Sequence, residues 1–290
     1  MDRVKLILLV GIPGSGKSTY ADGYVMNYFN TVHLSSDKIR EELWGNEATQ
    51  GDNGMIFSIM QSRAIEALRD GKSVIYDATN VTRKDRSYII DICPKFVQIE
   101  AHVVWAPIQT CIERDASRER TVGQAVIDKM LKRFQPPFYD EGFDDIKVVL
   151  PDGFNNIEHT FNVINAMKIP HDNPHHTNDI HDHCMAAYLY ACENSMNSDV
   201  KFSALYHDIG KPYTKAFIDS HGNACDTAHY YSHHNVSAWL AYGVKDTSIF
   251  RVWMIGNHME PFFNTKYYKN MPSSLKNNID ILHECDLNAH

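Results

Sequence analysis

A chain of 290 residues with 43% hydrophobic and 22% charged residues has material for two globular domains. Its formal net charge of −8 counts against clamping a long nucleic-acid backbone, an affinity built from many cationic contacts. No apolar run nears the roughly 20 residues of a membrane helix, and six cysteines without a C-x-x-C pair signal neither a zinc knuckle nor a dithiol redox centre.

The chain begins like a leader peptide, with Arg3 and Lys5 ahead of Leu6-Ile7-Leu8-Leu9-Val10. That stretch is too short and runs straight into a glycine loop. A first β-strand over residues 4–10 is therefore expected, in a cytoplasmic protein with reduced thiols and no membrane partner. Further strands are predicted at 31–34, 73–76, 97–105 and 146–150. They alternate with helical patterns at 17–29, 56–69, 83–92 and 122–134. Such alternation implies a parallel sheet covered by helices on both faces. Pro151-Asp152-Gly153-Phe154-Asn155-Asn156 breaks the pattern, and from about residue 158 the β signal disappears. Residues 176–193, 200–206, 234–242, 248–258 and 274–285 read as helices with one apolar stripe.

The expected organisation is an α/β domain over residues 1–155 followed by an all-α domain over 156–290. Side-chain chemistry divides similarly: ten of eleven arginines lie in the first 150 residues, and 13 of 16 histidines lie beyond residue 170. Arginine suits phosphate handling, and histidine with acid suits metal ligation.

Gly11-Ile12-Pro13-Gly14-Ser15-Gly16-Lys17-Ser18 is a G-x-x-x-x-G-K-[ST] loop between a predicted strand and a predicted helix, the context P-loop chemistry requires. Its glycines, with Ser15 and Thr19 alongside, bring backbone N–H groups and a helix N-terminus to the phosphates of ATP or another NTP. Lys17 can reach the β/γ-phosphates and Ser18 can ligate Mg²⁺. The acceptor is not named by the loop. Asp37, in Ser35-Ser36-Asp37-Lys38-Ile39-Arg40, stands at a strand end and can accept the proton of an attacking hydroxyl; it serves equally as a helix N-cap. Asp77, in Val74-Ile75-Tyr76-Asp77-Ala78-Thr79-Asn80, ends another buried strand and suits Mg²⁺ or substrate. Arg114, Arg118 and Arg120 fall near the start of a long helix, with Arg114 and Arg118 on one face. A solvated face shared with Glu113, Asp115 and Glu119 is the plain alternative.

In this order, the P-loop, Ser-Asp-x-x-Arg, Asp-Ala-Thr-Asn and Arg-x-x-x-Arg resemble the kinase domain of phage-type 5′-OH polynucleotide kinases. The resemblance covers about residues 1–150. It implies Asp37 as general base, Arg40 on the reacting phosphates, and Arg114 and Arg118 as lid arginines.

In the second half, Ala204-Leu205-Tyr206-His207-Asp208-Ile209-Gly210-Lys211-Pro212 ends an apolar helix with two ligands that are hard to bury. This resembles the signature of HD-domain metal-dependent phosphohydrolases, over roughly residues 165–290. The resemblance implies one upstream ligand, best met by His183 with His181 and His176 as poorer fits, and a downstream one, Asp286. Two-metal members add two histidines, for which His234 and His258 occupy the expected places, although the adjacent His233 leaves the register open. Mn, Fe, Ni, Co or Zn suit such ligands, as one ion or two. Lys211 can neutralise a substrate phosphate. His171, His175, His176, His221 and His229 need no more than a surface role.

Three functions compete. The first is a bifunctional end-healing enzyme acting in RNA repair. It phosphorylates 5′-OH ends with ATP and Mg²⁺, removes 3′-phosphate or 2′,3′-cyclic phosphate, and serves RNA or DNA ends, single-stranded or nicked, for a separate ligase. The second is a nucleoside or nucleotide kinase joined to an HD nucleotidase. The third is a ligand sensor with a degenerate HD domain, which the intact ligand set disfavours.

Overall fold

A computed structural model describes residues 3–45, 52–173 and 178–289. The chain forms two compact units, residues 1–130 with 137–152, and residues 131–136 with 153–290.

The first half alternates β1 (Lys5–Val10), α1 (Lys17–Asn27), β2 (Thr31–Ser35), α2 (Ser36–Trp44), α3 (Asn53–Arg69), β3 (Ser73–Asp77), α4 (Arg83–Ile92), β4 (Gln98–Val104), α5 (Ile108–Ala116), α6 (Gln124–Leu131) and β5 (Asp145–Val149). The five strands are all parallel in the order β2-β3-β1-β4-β5, as the alternation predicts. β1 is central, and Leu6 to Val10 are wholly buried. A strand covered on both faces reads as an unbroken apolar run, which is why its sequence looked like a leader. Ile7, Leu9, Ile75 and Val104 pack with Ala21, Tyr20, Tyr24 and Val25 of α1, and this fixes the helix that follows the glycine loop.

Two elements depart from the sequence reading. α2 is capped by Ser35, whose hydroxyl accepts from Lys38 N at 3.4 Å, so Asp37 lies in the first turn and is not the cap. The arginine helix ends early, at Ala116. The buried Asp115 carboxylate accepts from Val122 N (3.1 Å) and Gly123 N (2.9 Å), which turns the chain back. Arg118 and Arg120 therefore follow the helix and do not share a helical face with Arg114.

A buried ion pair braces the strand ends. Arg86 donates from Nε (2.7 Å) and Nη2 (2.8 Å) to Glu141, and from Nη1 to Asn80 O (2.9 Å). Asn80, at φ 46, in turn donates to Leu9 O of β1 (2.7 Å). The Arg86 side chain is 0% exposed and that of Glu141 5%. Removing one partner of such a pair leaves a desolvated charge. Glu141→Gln should therefore cost about 3–5 kcal/mol in urea denaturation; a loss under about 1 kcal/mol would put this pair in the class of surface bridges.

The second half contains α7 (Asn156–Ala166), α8 (Ile180–Asn194), α9 (Ser198–Tyr206), a four-residue α10 (Lys211–Thr214), an antiparallel hairpin of β6 (Ala216–Ile218) and β7 (Ala224–His229), α11 (His233–Ala241), α12 (Ile249–Asn257), the short α13 (Glu260–Phe263) and α14 (Lys266–Lys269), and α15 (Ser273–Leu287). The helices read from the sequence correspond to α8, α9, α11, α12 and α15; α7, the short α10, α13 and α14, and the hairpin were not read, the hairpin because its strands are too short and too exposed to carry a legible pattern. Residues 131–136 also belong to this unit: Phe134 stands edge-on to Trp239 (5.2 Å, 83°) and Asn235 donates to Lys132 O (2.7 Å). No helix among the described residues is long and apolar enough to cross a membrane.

Candidate active sites

The glycine loop joins β1 to α1 with the geometry its residue types require. Gly14 sits at φ +79, where a Cβ would meet Cys111 O at 2.1 Å, so no larger residue fits. Gly11 N donates to Thr79 O (3.0 Å), tying the loop to the end of β3. Lys17 Nζ donates to Ile12 O (3.0 Å) and Ser18 Oγ to Asp77 Oδ2 (3.0 Å). Desolvation lowers the Lys17 pKa; Asp77 and Asp37 pull the other way, while Arg118 acts with the burial. Lys17, Asp37, Asp77 and Arg118 therefore lie in one electrostatic neighbourhood. Arg114 Nη1 reaches Ser15 O (3.4 Å) over the loop. Asp37 Oδ1 accepts from Arg40 (2.8 Å) and Arg120 (3.4 Å), so the arginine segment closes on the proposed base although its helix is short.

Sequence reasoning missed His33. Its Nε2 lies 3.1 Å from the same Asp77 oxygen that Ser18 contacts, and its Nδ1 lies 3.1 Å from Asp22.

The second cluster is built from five helices. His183 comes from α8, which starts on an Asp179 cap; His207 and Asp208 follow α9; His233 opens α11; His258 ends α12; Asp286 comes from α15. His183, His207, Asp208 and Asp286 form one group of potential ligands and Asp208, His233 and His258 a second, with the ligand atoms of each within 4.8 Å of one another. Asp208 Oδ2 faces His207 (3.3 Å) and His183 (3.6 Å), and Oδ1 faces His233 (3.1 Å) and His258 (3.9 Å). Asp286 Oδ1 faces His183 (2.9 Å) and His207 (3.3 Å).

The histidines share one orientation. Their Nδ1 atoms lie by backbone carbonyls: His183 by Ala289 (3.0 Å), His207 by Ala204 (2.8 Å), His233 by Tyr230 (2.8 Å) and His258 by Ile255 (2.7 Å). A carbonyl only accepts, so each Nδ1 carries the hydrogen and each ring turns its Nε2 inward. An Nε2 that faces a carboxylate requires a cation or a proton between them. His207 Nε2 and both Asp208 oxygens are buried without a well-formed hydrogen bond. This donor set fits one or two divalent transition metals. Burial would raise the Asp208 carboxyl, but the charges of His207, Lys211 and His233 hold it well below the ordinary carboxylate range.

His233, not His234, completes the second group. Gly210 sets this: a Cβ there would lie 2.4 Å from His233 O, so the turn after Asp208 packs directly on the first turn of α11. Ser232 at φ 61 starts that helix and directs His233 inward. His234 is one step out of phase, its ring edge-on to His258 at 6.2 Å and tilted on Phe263 at 5.8 Å. His181 pairs with Asp182 (3.0 Å). His175 and His176 lie outside the described residues. His171 is not a surface residue: it is 1% exposed, packs edge-on to His183 at 5.5 Å, and its Nε2 lies 3.3 Å from Lys211 Nζ. Lys211 also pairs with Asp208 Oδ2 at 2.5 Å.

Comparison with known proteins bears on the first half of the chain. Residues 6–137 match the family model described as AAA domain, which agrees with a P-loop kinase fold binding NTP and Mg²⁺. A 175-residue stretch is 30% identical to Transcription factor bHLH140 of Arabidopsis thaliana, covering 57% of this chain and 18% of that protein. A 167-residue stretch is 26% identical to the Bifunctional polynucleotide phosphatase/kinase of Schizosaccharomyces pombe, covering 56% of this chain and 37% of that protein. Among solved structures, one described as the Pnkp1/Rnl/Hen1 RNA repair complex aligns with 23% identity and a TM-score of 0.42, over 46% of this chain and 44% of that one. The chain thus spans well under half the length of the curated relatives it matches.

Proposed function

We propose that the chain is a two-site end-healing enzyme: a 5′-OH polynucleotide kinase over residues 1–155 and an HD-type metal-dependent phosphoesterase over 156–290, acting on 3′-phosphate or 2′,3′-cyclic phosphate ends for a separate ligase. The observation that carries the second activity is the set of inward-turned Nε2 atoms around Asp208 and Asp286. The kinase reading is supported by the P-loop with Asp37, Arg40 and Asp77 around it, and by similarity to a protein named as a polynucleotide phosphatase/kinase.

At the kinase site the loop N–H groups and Lys17 hold the β- and γ-phosphates. Asp37 accepts the proton of the attacking 5′-hydroxyl as its oxygen bonds to the γ-phosphorus and the bond to the leaving ADP oxygen breaks. Arg40, Arg114 and Arg118 balance the charge spread over the transferring group. Ser18 and Asp77 would hold Mg²⁺, which would supply further neutralisation when bound. At the second site His183, His207, Asp208 and Asp286, with His233 and His258, would hold the metal, which would supply Lewis acidity toward a phosphoryl oxygen when bound. Lys211 donates to the substrate phosphate, and His171 accepts from Lys211.

The test is labelled ATP with a 5′-OH oligoribonucleotide and, separately, with free nucleosides, alongside release from 3′-phosphorylated and cyclic-phosphate oligonucleotides. Oligonucleotide labelling and phosphate release by the same purified chain are expected. Labelling of nucleosides alone would move the protein to nucleotide metabolism.

A further inference from the structure

His33 has no role in the machinery so far assigned, yet it is placed by the same strands that build the nucleotide site. β2 and β3 pair in parallel with His33 opposite Ile75 and Ser35 opposite Asp77. Alternate strand residues share a face, so His33 and Asp77 project from the same side of the sheet. The His33 side chain is 7% exposed and that of Asp77 5%. Its Nε2 lies 3.1 Å from Asp77 Oδ2, the oxygen to which Ser18 donates at 3.0 Å. Its Nδ1 lies 3.1 Å from Asp22 Oδ1, on α1 directly after the loop. The ring thus lies between two carboxylates, and Ser18 Oγ and His33 Nε2 converge on one carboxylate oxygen. A carboxylate is free to rotate about its last bond unless something fixes its plane; here Ser18 and His33 fix it.

We propose that His33 is a positioning residue of the nucleotide site, orienting the Asp77 carboxylate toward Mg²⁺ through the chain Asp22–His33–Asp77. The proposal rests on Asp77 and Ser18 serving Mg²⁺, as set out above. It separates two contributions to nucleotide binding. The loop N–H groups and Lys17 grip the phosphates with or without the ion, whereas His33 acts only on the part of the affinity that the ion adds.

Calorimetric affinity for ATP, measured with Mg²⁺ and again in EDTA, reads the two apart. His33→Ala should leave the EDTA affinity within about twofold of the unsubstituted chain and cut the Mg²⁺-dependent gain by about tenfold or more, the usual loss when a partner of a metal-bound carboxylate is removed. His33→Gln, which keeps one donor, should recover part of the gain. The Mg²⁺ concentration giving half-maximal phosphoryl transfer should rise by a similar factor in His33→Ala. An undiminished Mg²⁺-dependent gain in that variant overturns the proposal. If His33→Ala does not fold, His33→Asn, polar but too short to reach Asp77, takes its place with the same two outcomes. An unsubstituted chain that binds ATP no better with Mg²⁺ than without refutes the underlying assignment of Asp77 and Ser18, and the proposal with it.

Discussion

Asp37→Asn is expected to slow phosphoryl transfer to a 5′-hydroxyl by about 10²–10⁴-fold, the range for removing a general base. ATP affinity should stay within about twofold. Asparagine keeps an oxygen that can still accept from Arg40 and Arg120, so those contacts survive and only the capacity to take a proton is lost. Stability is a poor alternative explanation: the Asp37 side chain is 53% exposed, and its pairs with Arg40 and Arg120 are of the exposed kind, worth about 0–1 kcal/mol. Lys17→Ala provides the contrast, because it should weaken ATP binding and transfer together. Single-turnover transfer with saturating Mg²⁺–ATP separates the cases. A full rate in Asp37→Asn would remove Asp37 as the base and leave Arg40 as the part of the Ser-Asp-x-x-Arg segment that acts on the phosphates.

Much of the kinase site is legible because its parts are local. The loop is eight consecutive residues with a fixed strand before it and helix after it, and Asp77 is the last residue of an apolar run. What escapes is whatever depends on distant pairing. His33 meets Asp22 and Asp77, 11 and 44 positions away, and nothing in Thr31-Val32-His33-Leu34 marks the ring as different from any strand histidine. The shared helical face expected for Arg114 and Arg118 fails for a local reason. A four-residue step implies a shared face only if the helix continues, and Asp115 ends it by taking the Val122 and Gly123 amides.

The helical half shows the same limit more sharply. His207-Asp208-Ile209-Gly210 stands out because a histidine and an aspartate at the end of an apolar helix need an explanation. Choosing between His233 and His234 requires the phase of α11, which is set by one left-handed residue, Ser232, and by the close approach of Gly210 to His233 O. Neither is visible as periodicity. The burial of His171 is likewise a tertiary fact: its partner Lys211 is 40 residues away.

Asp208→Asn carries the largest combined effect, because Asp208 belongs to both ligand groups and is also the counter-charge of Lys211. The variant should lose release of 3′-phosphate while 5′-phosphorylation by the same preparation continues. Added Mn²⁺ should raise the thermal transition of the chelator-treated unsubstituted chain, by the equivalent of about 2.7 kcal/mol at 100 times Kd, and should not raise that of the variant. The variant should also be less stable without metal, by about 3–5 kcal/mol, since a 7%-exposed ammonium loses its carboxylate. That second effect gives a way to tell chemistry from folding. Adding Lys211→Met to Asp208→Asn removes the stranded charge and should restore most of the metal-free stability. Phosphate release and the Mn²⁺ response should stay absent, because the ligand is still missing. If the double variant regains stability and the Mn²⁺ response together, Asp208 serves the fold through its ion pair with Lys211, and the ion is held by the remaining histidines and Asp286 alone.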